Sequence, residues 1–221
     1  MTKVILITGR KQAGKDSLAG FLHQEISLYK GWQMTSDNIK TYSFATPLKN
    51  YLVDVMGLSH DQCWGTDEDK NSDTEILWGD LPLDIEEGYN LFCESRGKEL
   101  ADSVFWQNLP MTAREVMQVF GTNICRAIYP NCFAKWAKKQ ITKDAPKFAF
   151  ITDCRFPDEL EIFNDMNPIV IRLLRNKFNS RHKSEIALDN YDFSNALVVD
   201  NRNWSLEEKN EFVWRSIQDM I

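Results

Sequence analysis

Gly9-Arg10-Lys11-Gln12-Ala13-Gly14-Lys15 has the spacing G-x-x-x-x-G-K. In a loop of that pattern, backbone N–H groups wrap phosphate oxygens and the lysine meets them as a point charge. The next position usually carries a hydroxyl that ligates Mg2+. Here it is Asp16, followed by Ser17, so the Asp16 carboxylate or the Ser17 hydroxyl is the candidate metal ligand. Val4-Ile5-Leu6-Ile7 directly precedes the loop and reads as a strand buried on both faces. Leu18, Phe21, Leu22 and Ile26 follow it at helical spacing. A helix N-terminus favours an anion, and a plain glycine turn with a surface lysine would not need both glycines to bracket a helix start.

Two further groups of residues could do chemistry. Thr152-Asp153-Cys154-Arg155 closes another apolar run, at the carboxyl end of a strand, where open α/β sheets place their ligands. Asp153 could order Mg2+ or a sugar hydroxyl, and the planar fork of Arg155 could clamp a phosphate; a structural Asp–Arg pair at the next helix is the alternative. Arg172, Arg175, Lys177, Arg181 and Lys183 gather with no acid until Glu185. On a long strand-to-strand connection such a run suits a closing lid that brings arginines to a transferred phosphoryl group, although most charge runs are solvated faces. His182 reads as a neutral bystander.

These residues need an alternating strand and helix framework. Tyr42-Ser43-Phe44-Ala45 reads as a second strand, and Leu48, Tyr51, Leu52, Val55 and Met56 as a helix stopped by Gly57. Thr112 and Glu115 form a capping box, opening a helix that runs to about Ile128 and is broken by Pro130. Phe133, Trp136, Ala137 and Ile141 suggest another helix. Phe148 to Thr152, Ile169 to Leu173 and Ala196 to Val199 complete five strands, with a helix starting near Pro157 and a last one opened by the capping box Ser205 to Glu208. A right-handed parallel α/β sheet flanked by helices is the economical arrangement.

Composition limits the functions available. The 221 residues carry 26 Lys+Arg and 32 Asp+Glu, a net charge of −6, which argues against a surface built to grip nucleic acid or anionic lipid. Residues 59–110 hold 13 acids against Lys70, Arg96 and Lys98, so the remainder is mildly basic. This acidic stretch has scattered aromatics without a sustained period and reads as an insertion covering one side. No apolar run suits a signal peptide or a membrane span, which predicts a cytoplasmic protein (host cytoplasm, if phage-encoded). The five cysteines show no metal-ligand spacing and read as reduced structural thiols.

Together these motifs resemble the phage-type deoxynucleoside monophosphate kinases of the P-loop NMP kinase group. The 9–17 loop with Asp16 after Lys15, Phe44-Ala45-Thr46-Pro47-Leu48-Lys49, the R-x-x-x-Q-x-x-G-T stretch from Arg114 to Thr122 with Trp136 beyond it, Asp153-Cys154-Arg155 and His182-Lys183-Ser184-Glu185 carry the likeness. It implies a single P-loop domain over residues 1–221 with an inserted acceptor-binding and lid region; the chain also carries the 59–110 acidic insertion, of which residues 71–108 match no part of the family pattern, and a lid-like segment at 174–190. It implies ATP as donor with Mg2+, the donor held by Arg10, Lys11, Ala13, Gly14, Lys15, Asp16 and Ser17. It also implies a nucleoside monophosphate acceptor held by Lys49, Lys70, Arg114, Gln118, Thr122, Trp136 and Asp153. Lys15, Asp153, Arg155, Arg175 and Arg181 would then carry the transfer. No general base is needed, because the attacking oxygen already belongs to a phosphate. A P-loop kinase for another small phosphorylated metabolite and a nucleotide-binding switch without transfer activity are the alternatives, and a homodimer stays open.

Overall fold

The computed structural model describes residues 2–33, 37–175 and 186–221. Arg181 and the neighbouring lid residues Lys177, His182, Lys183, Ser184 and Glu185 lie outside the described residues. The chain divides into two compact units, Met1–Phe44 with Asn131–Ile221, and Ala45–Pro130.

The first unit holds five parallel strands, β1 (Lys3–Gly9), β2 (Ile39–Tyr42), β3 (Phe148–Cys154), β4 (Ile169–Leu173) and β5 (Leu197–Val199), in the order β2-β3-β1-β4-β5. Its helices include α1 (Lys15–Lys30), α2 (Cys132–Asp144), α3 (Pro157–Glu161) and α4 (Leu206–Ile217). Val4, Ile5, Leu6 and Ile7 are fully buried, as a central strand covered on both faces requires. Ile5, Ile7, Phe150 and Ile171 form one face, packed with Leu18, Leu22 and Ile26 of α1 and Val213 and Ile217 of α4. Gly31 ends α1 in the left-handed conformation, and Ser205 with Glu208 opens α4 by the expected capping box. This five-strand, helix-flanked sheet is the predicted P-loop NTPase-like α/β fold, and it puts the loop after β1 between the carboxyl ends of β3 and β4.

Two boundaries differ from the sequence expectation for a physical reason. β2 ends at Tyr42, because Ser43 Oγ and the Phe44 N–H turn out of the sheet to donate to Asp153 at 2.6 and 3.0 Å. β5 starts at Leu197, because the Ala196 N–H bonds back to the Phe193 carbonyl.

In the second unit the acidic stretch has more order than its aperiodic sequence suggests. Short helices at His60–Trp64 and Asp67–Lys70 start at capping boxes built on Ser59 and Thr66, and Asp84 caps a longer helix, Ile85–Arg96. Asp73–Leu77 pairs antiparallel with Pro110–Thr112. The scattered aromatics supply a local core, in which the buried rings of Trp78 and Phe92 meet edge to face at 5.2 Å. The predicted capping box at Thr112 is present, but the helix it opens changes form. Ala113–Gln118 is α-helical, Val119–Cys125 forms a π turn, and Arg126–Ile128 returns to α. Gly121 lies in the wide turn, where a Cβ would come within 2.9 Å of Leu48 Cδ2. Apolar spacing alone does not report such a widening.

Candidate active site

The loop from Gly9 to Gly14 is held in a conformation that its two glycines permit. Gly9 has φ +152 and a Cβ there would meet the Leu173 carbonyl at 2.8 Å, while Gly14 is left-handed at φ +91. Gln12 also has positive φ, at 58°, a costly conformation for a residue with a side chain and one typical of binding loops. Lys15 Nζ folds back over the loop, donating to the Gly9 and Arg10 carbonyls at 2.9 Å each. Asp16 stands at the first turn of α1, where its Oδ1 accepts from Thr152 Oγ1 of β3 at 2.7 Å, and Ser17 beside it is exposed. Ala13 is buried beneath the loop.

On the β3 side, Asp153 binds the end of β2 through Ser43 and Phe44. The Arg155 and Phe156 N–H groups donate to Glu159 Oε2 at 2.6 and 3.0 Å, which fixes the turn carrying the exposed Arg155. On the β4 side, Arg172 opens the charge run from inside the expected strand. It lies within β4, and its Nη1 reaches Thr8 Oγ1 at 3.4 Å. Burial, reinforced by Arg10, pulls the Arg172 guanidinium below its ordinary pKa, while Asp189 opposes that shift. Asp189 also takes an ion pair from Arg10 at 2.6 Å.

Thr8, Gly9, Arg10, Cys154, Arg155, Arg172 and Leu188 line a shallow, open cavity. Three arginines in one cavity suit a multiply charged anion. The buried Arg172 Nε has no hydrogen-bond acceptor among the described residues. Arg175 is half-buried just beyond β4, with its N–H on Asn201 Oδ1 at 3.0 Å.

The expected acceptor residues fall in both units. Trp136 is half-buried on α2 of the first. In the second, Lys49, Lys70 and Arg114 converge on the turns from 60 to 71. Lys49 Nζ lies 5.3 Å from the Trp64 ring centroid, Lys70 Nζ donates to the Gly65 carbonyl at 2.6 Å, and Arg114 donates to Asp67 at 2.6 Å and Asn71 at 2.8 Å. Burial pushes the Cys63 thiol up in pKa, and the two lysines offset part of that rise. Gln118 ends the α-helical segment and Thr122 lies in the π turn, both half-buried. Behind them, Glu115 accepts from Ser95, Arg96 and the Thr112 N–H. Burial works against its charge, but these donors outweigh it and hold the carboxyl below its ordinary range.

Sequence pattern assigns no role to Ser43, Asn201 and Lys209, and names Thr152 only as part of the run ending in Arg155. Asn201 Nδ2 donates to the Ala13 carbonyl at 3.0 Å, and Lys209 Nζ to the Gly14 carbonyl at 2.8 Å. Only the Thr152 hydroxyl, beside Asp153 at a strand end, carried a local signal.

The loop after β1 and the order of the parallel strands are those of a P-loop-type α/β fold. The family model described as deoxynucleotide monophosphate kinase matches residues 79–210, more than half of the chain. The chain belongs to the deoxynucleotide monophosphate kinase family, and it phosphorylates nucleoside monophosphates. It is also 21% identical over 205 residues to a protein of Acanthamoeba polyphaga mimivirus whose name includes the words deoxynucleotide monophosphate kinase, with 90% of this chain and 89% of that one covered. The substrate is thus a small nucleotide, and neither another phosphorylated metabolite nor a switch without transfer is favoured. Among the described residues, no helix is long and apolar enough to cross a membrane.

Proposed function

We propose that the chain is a cytoplasmic, Mg2+-dependent kinase that moves the γ-phosphoryl group of ATP to a deoxynucleoside monophosphate. The observation that carries this reading is the loop itself: Lys15 already folded over it, Asp16 tied to Thr152, and the arginine-lined cavity opening beside it. Arg10, Lys11, Ala13, Gly14, Lys15 and Ser17 bind the donor phosphates through backbone N–H groups and side chains. Among the described residues no three His, Cys, Asp or Glu side chains cluster as a metal cage. Mg2+ does not need one, since it keeps several waters and takes one or two protein oxygens plus phosphates. The Asp16 carboxylate or the Ser17 hydroxyl suits that part, and Mg2+ bound there would supply charge neutralisation between the donor phosphates.

Lys49, Lys70, Arg114, Gln118, Thr122 and Trp136 hold the acceptor, with Asp153 ordering its position. Lys15, Arg155, Arg175 and Arg181 offset the charge on the transferred group, and catalysis consists of aligning two anions and excluding water. An ADP-release assay over a panel of deoxynucleoside and ribonucleoside monophosphates tests this. ADP release that depends on a deoxynucleoside monophosphate supports the reading. Equal release without any acceptor, or with ribonucleotides alone, refutes it.

A further inference from the structure

Two buried polar side chains near the C-terminus bind the phosphate loop from beneath, and no motif accounts for them. Asn201, 2% exposed in the turn after β5, spends both ends of its amide. Its Nδ2 donates to the Ala13 carbonyl and its Oδ1 accepts the Arg175 N–H, each at 3.0 Å. Lys209 is 1% exposed on α4 and donates to the Gly14 carbonyl at 2.8 Å. It shares a helix face with Val213 and Ile217, which pack into the apolar core, so the pattern calls for an aliphatic residue at 209. Burying an ammonium there is costly unless its charge is used.

Peptide geometry says what that use is. In a planar trans peptide the C=O and the following N–H point in opposite directions. Drawing the Ala13 carbonyl toward Asn201 therefore turns the Gly14 N–H the other way; the Gly14 carbonyl already accepts the Leu18 N–H at 3.1 Å as α1 begins, and Lys209 is a second donor that holds it there, with the Lys15 N–H facing away. Those amides are the ones a loop of this kind offers to phosphate. Gly14 fits the same arrangement, since a Cβ there would sit 2.8 Å from Lys209 Nζ.

We infer that Asn201 and Lys209 are positioning residues of the donor site, which preset the Gly14 and Lys15 amides for the donor's phosphates. The inference rests on the reading of the 9–17 loop as the ATP site. Through Arg175 the same amide of Asn201 ties that loop to the start of the 174–190 connection. Burial, with Arg175 nearby, pushes the Lys209 ammonium down to about 8, so near neutral pH it still acts mainly as a charged donor.

Lys209→Met and Asn201→Ala test this, with Lys15→Ala alongside. The measurements are KM for ATP and for the deoxynucleoside monophosphate, affinity for a non-hydrolysable ATP analogue, and melting temperature. Each brace variant should raise the ATP KM and weaken the analogue by about tenfold, the effect of losing one charge-assisted or buried hydrogen bond. The acceptor KM should stay within about twofold. Lys209→Met, which replaces a buried charge on an apolar face, should melt no lower than the wild type.

An ATP KM within about twofold of wild type in a folded variant overturns the proposal, as does an equal change for both substrates. Failure of both variants to fold marks the pair as core supports and also overturns it. If Lys15→Ala leaves donor binding and turnover intact, the ATP-site reading itself falls, and the brace with it. If Lys15→Ala removes activity while the brace variants do not change donor binding, only the brace falls.

Discussion

Asp153→Asn separates chemistry from architecture at the end of β3. The carboxylate accepts from Ser43 Oγ at 2.6 Å and from the Phe44 N–H at 3.0 Å. An asparagine can keep both contacts, with its carbonyl facing the Phe44 N–H and its amide donating to the Ser43 hydroxyl, but each loses its charge. Hydrogen bonds to charged groups contribute about 1.5–3 kcal/mol and neutral ones about 0.5–1.5, so the two together lose about 2 kcal/mol. For a chain of this size that lowers the melting temperature by about 4–8 °C. Asp153→Ala removes both contacts and leaves the buried Phe44 N–H without this acceptor, which should cost about 1–3 kcal/mol more. If the carboxylate also orders the reacting groups, kcat of Asp153→Asn at saturating substrates falls by about a hundredfold or more, equivalent to about 2.7 kcal/mol. Turnover and thermal melts on the same preparations read both effects, with turnover measured well below the variant's melting temperature. A melting drop of the expected size with kcat within about threefold of wild type would show that Asp153 only fastens β2 to β3.

Three further outcomes are expected. Lys15→Ala should lose most turnover, by about a hundredfold or more, with only a small change in melting temperature; near-normal kcat would sink the role of the 9–17 loop. Arg114→Ala should raise the acceptor KM by about tenfold, the loss of one phosphate contact, and leave the ATP KM nearly unchanged; a rise confined to ATP contradicts it. Glu115→Gln should destabilise the protein by about 3 kcal/mol at neutral pH by breaking a buried pair. The folded pKa of Glu115 is depressed, so its charge-dependent stabilisation is complete above the ordinary value of 4.5 and is lost as pH falls through the folded pKa. The melting gap between wild type and variant should therefore narrow below about pH 4.5, and a gap unchanged down to about pH 3 would refute it.

Residues whose neighbours in the chain define their role are legible from the amino-acid order alone. The strand at Val4 to Ile7 shows itself as an unbroken apolar run, and the α1 stripe and the capping boxes at Thr112 and Ser205 use contacts three or four positions apart. Ser59-x-x-Gln62 and Thr66-x-x-Asp69 carry a capping signature of the same spacing, masked by the acidic composition around them. Contacts between distant positions leave no such trace. The end of β2 is set by Asp153, 110 residues later, and the supports under the phosphate loop come from Asn201, 188 residues beyond Ala13, and Lys209, 195 residues beyond Gly14. In sequence, Lys209 is an ordinary charge in an amphipathic helix. Its burial depends on what α4 packs against, which period alone does not give.

The π turn at Val119–Cys125 bears on how Arg114, Gln118 and Thr122 line up. In an uninterrupted α-helix each step of four residues overshoots a full circle by about 40°, so the three side chains would wander about 80° around the axis. A π turn needs more residues to close the circle, so each one advances the rotation less. The step from Gln118 to Thr122 then drifts less, and Thr122 stays closer to the azimuth of Arg114. The wide turn works as a phase correction, keeping three evenly spaced residues near one meridian where a regular helix would fan them apart.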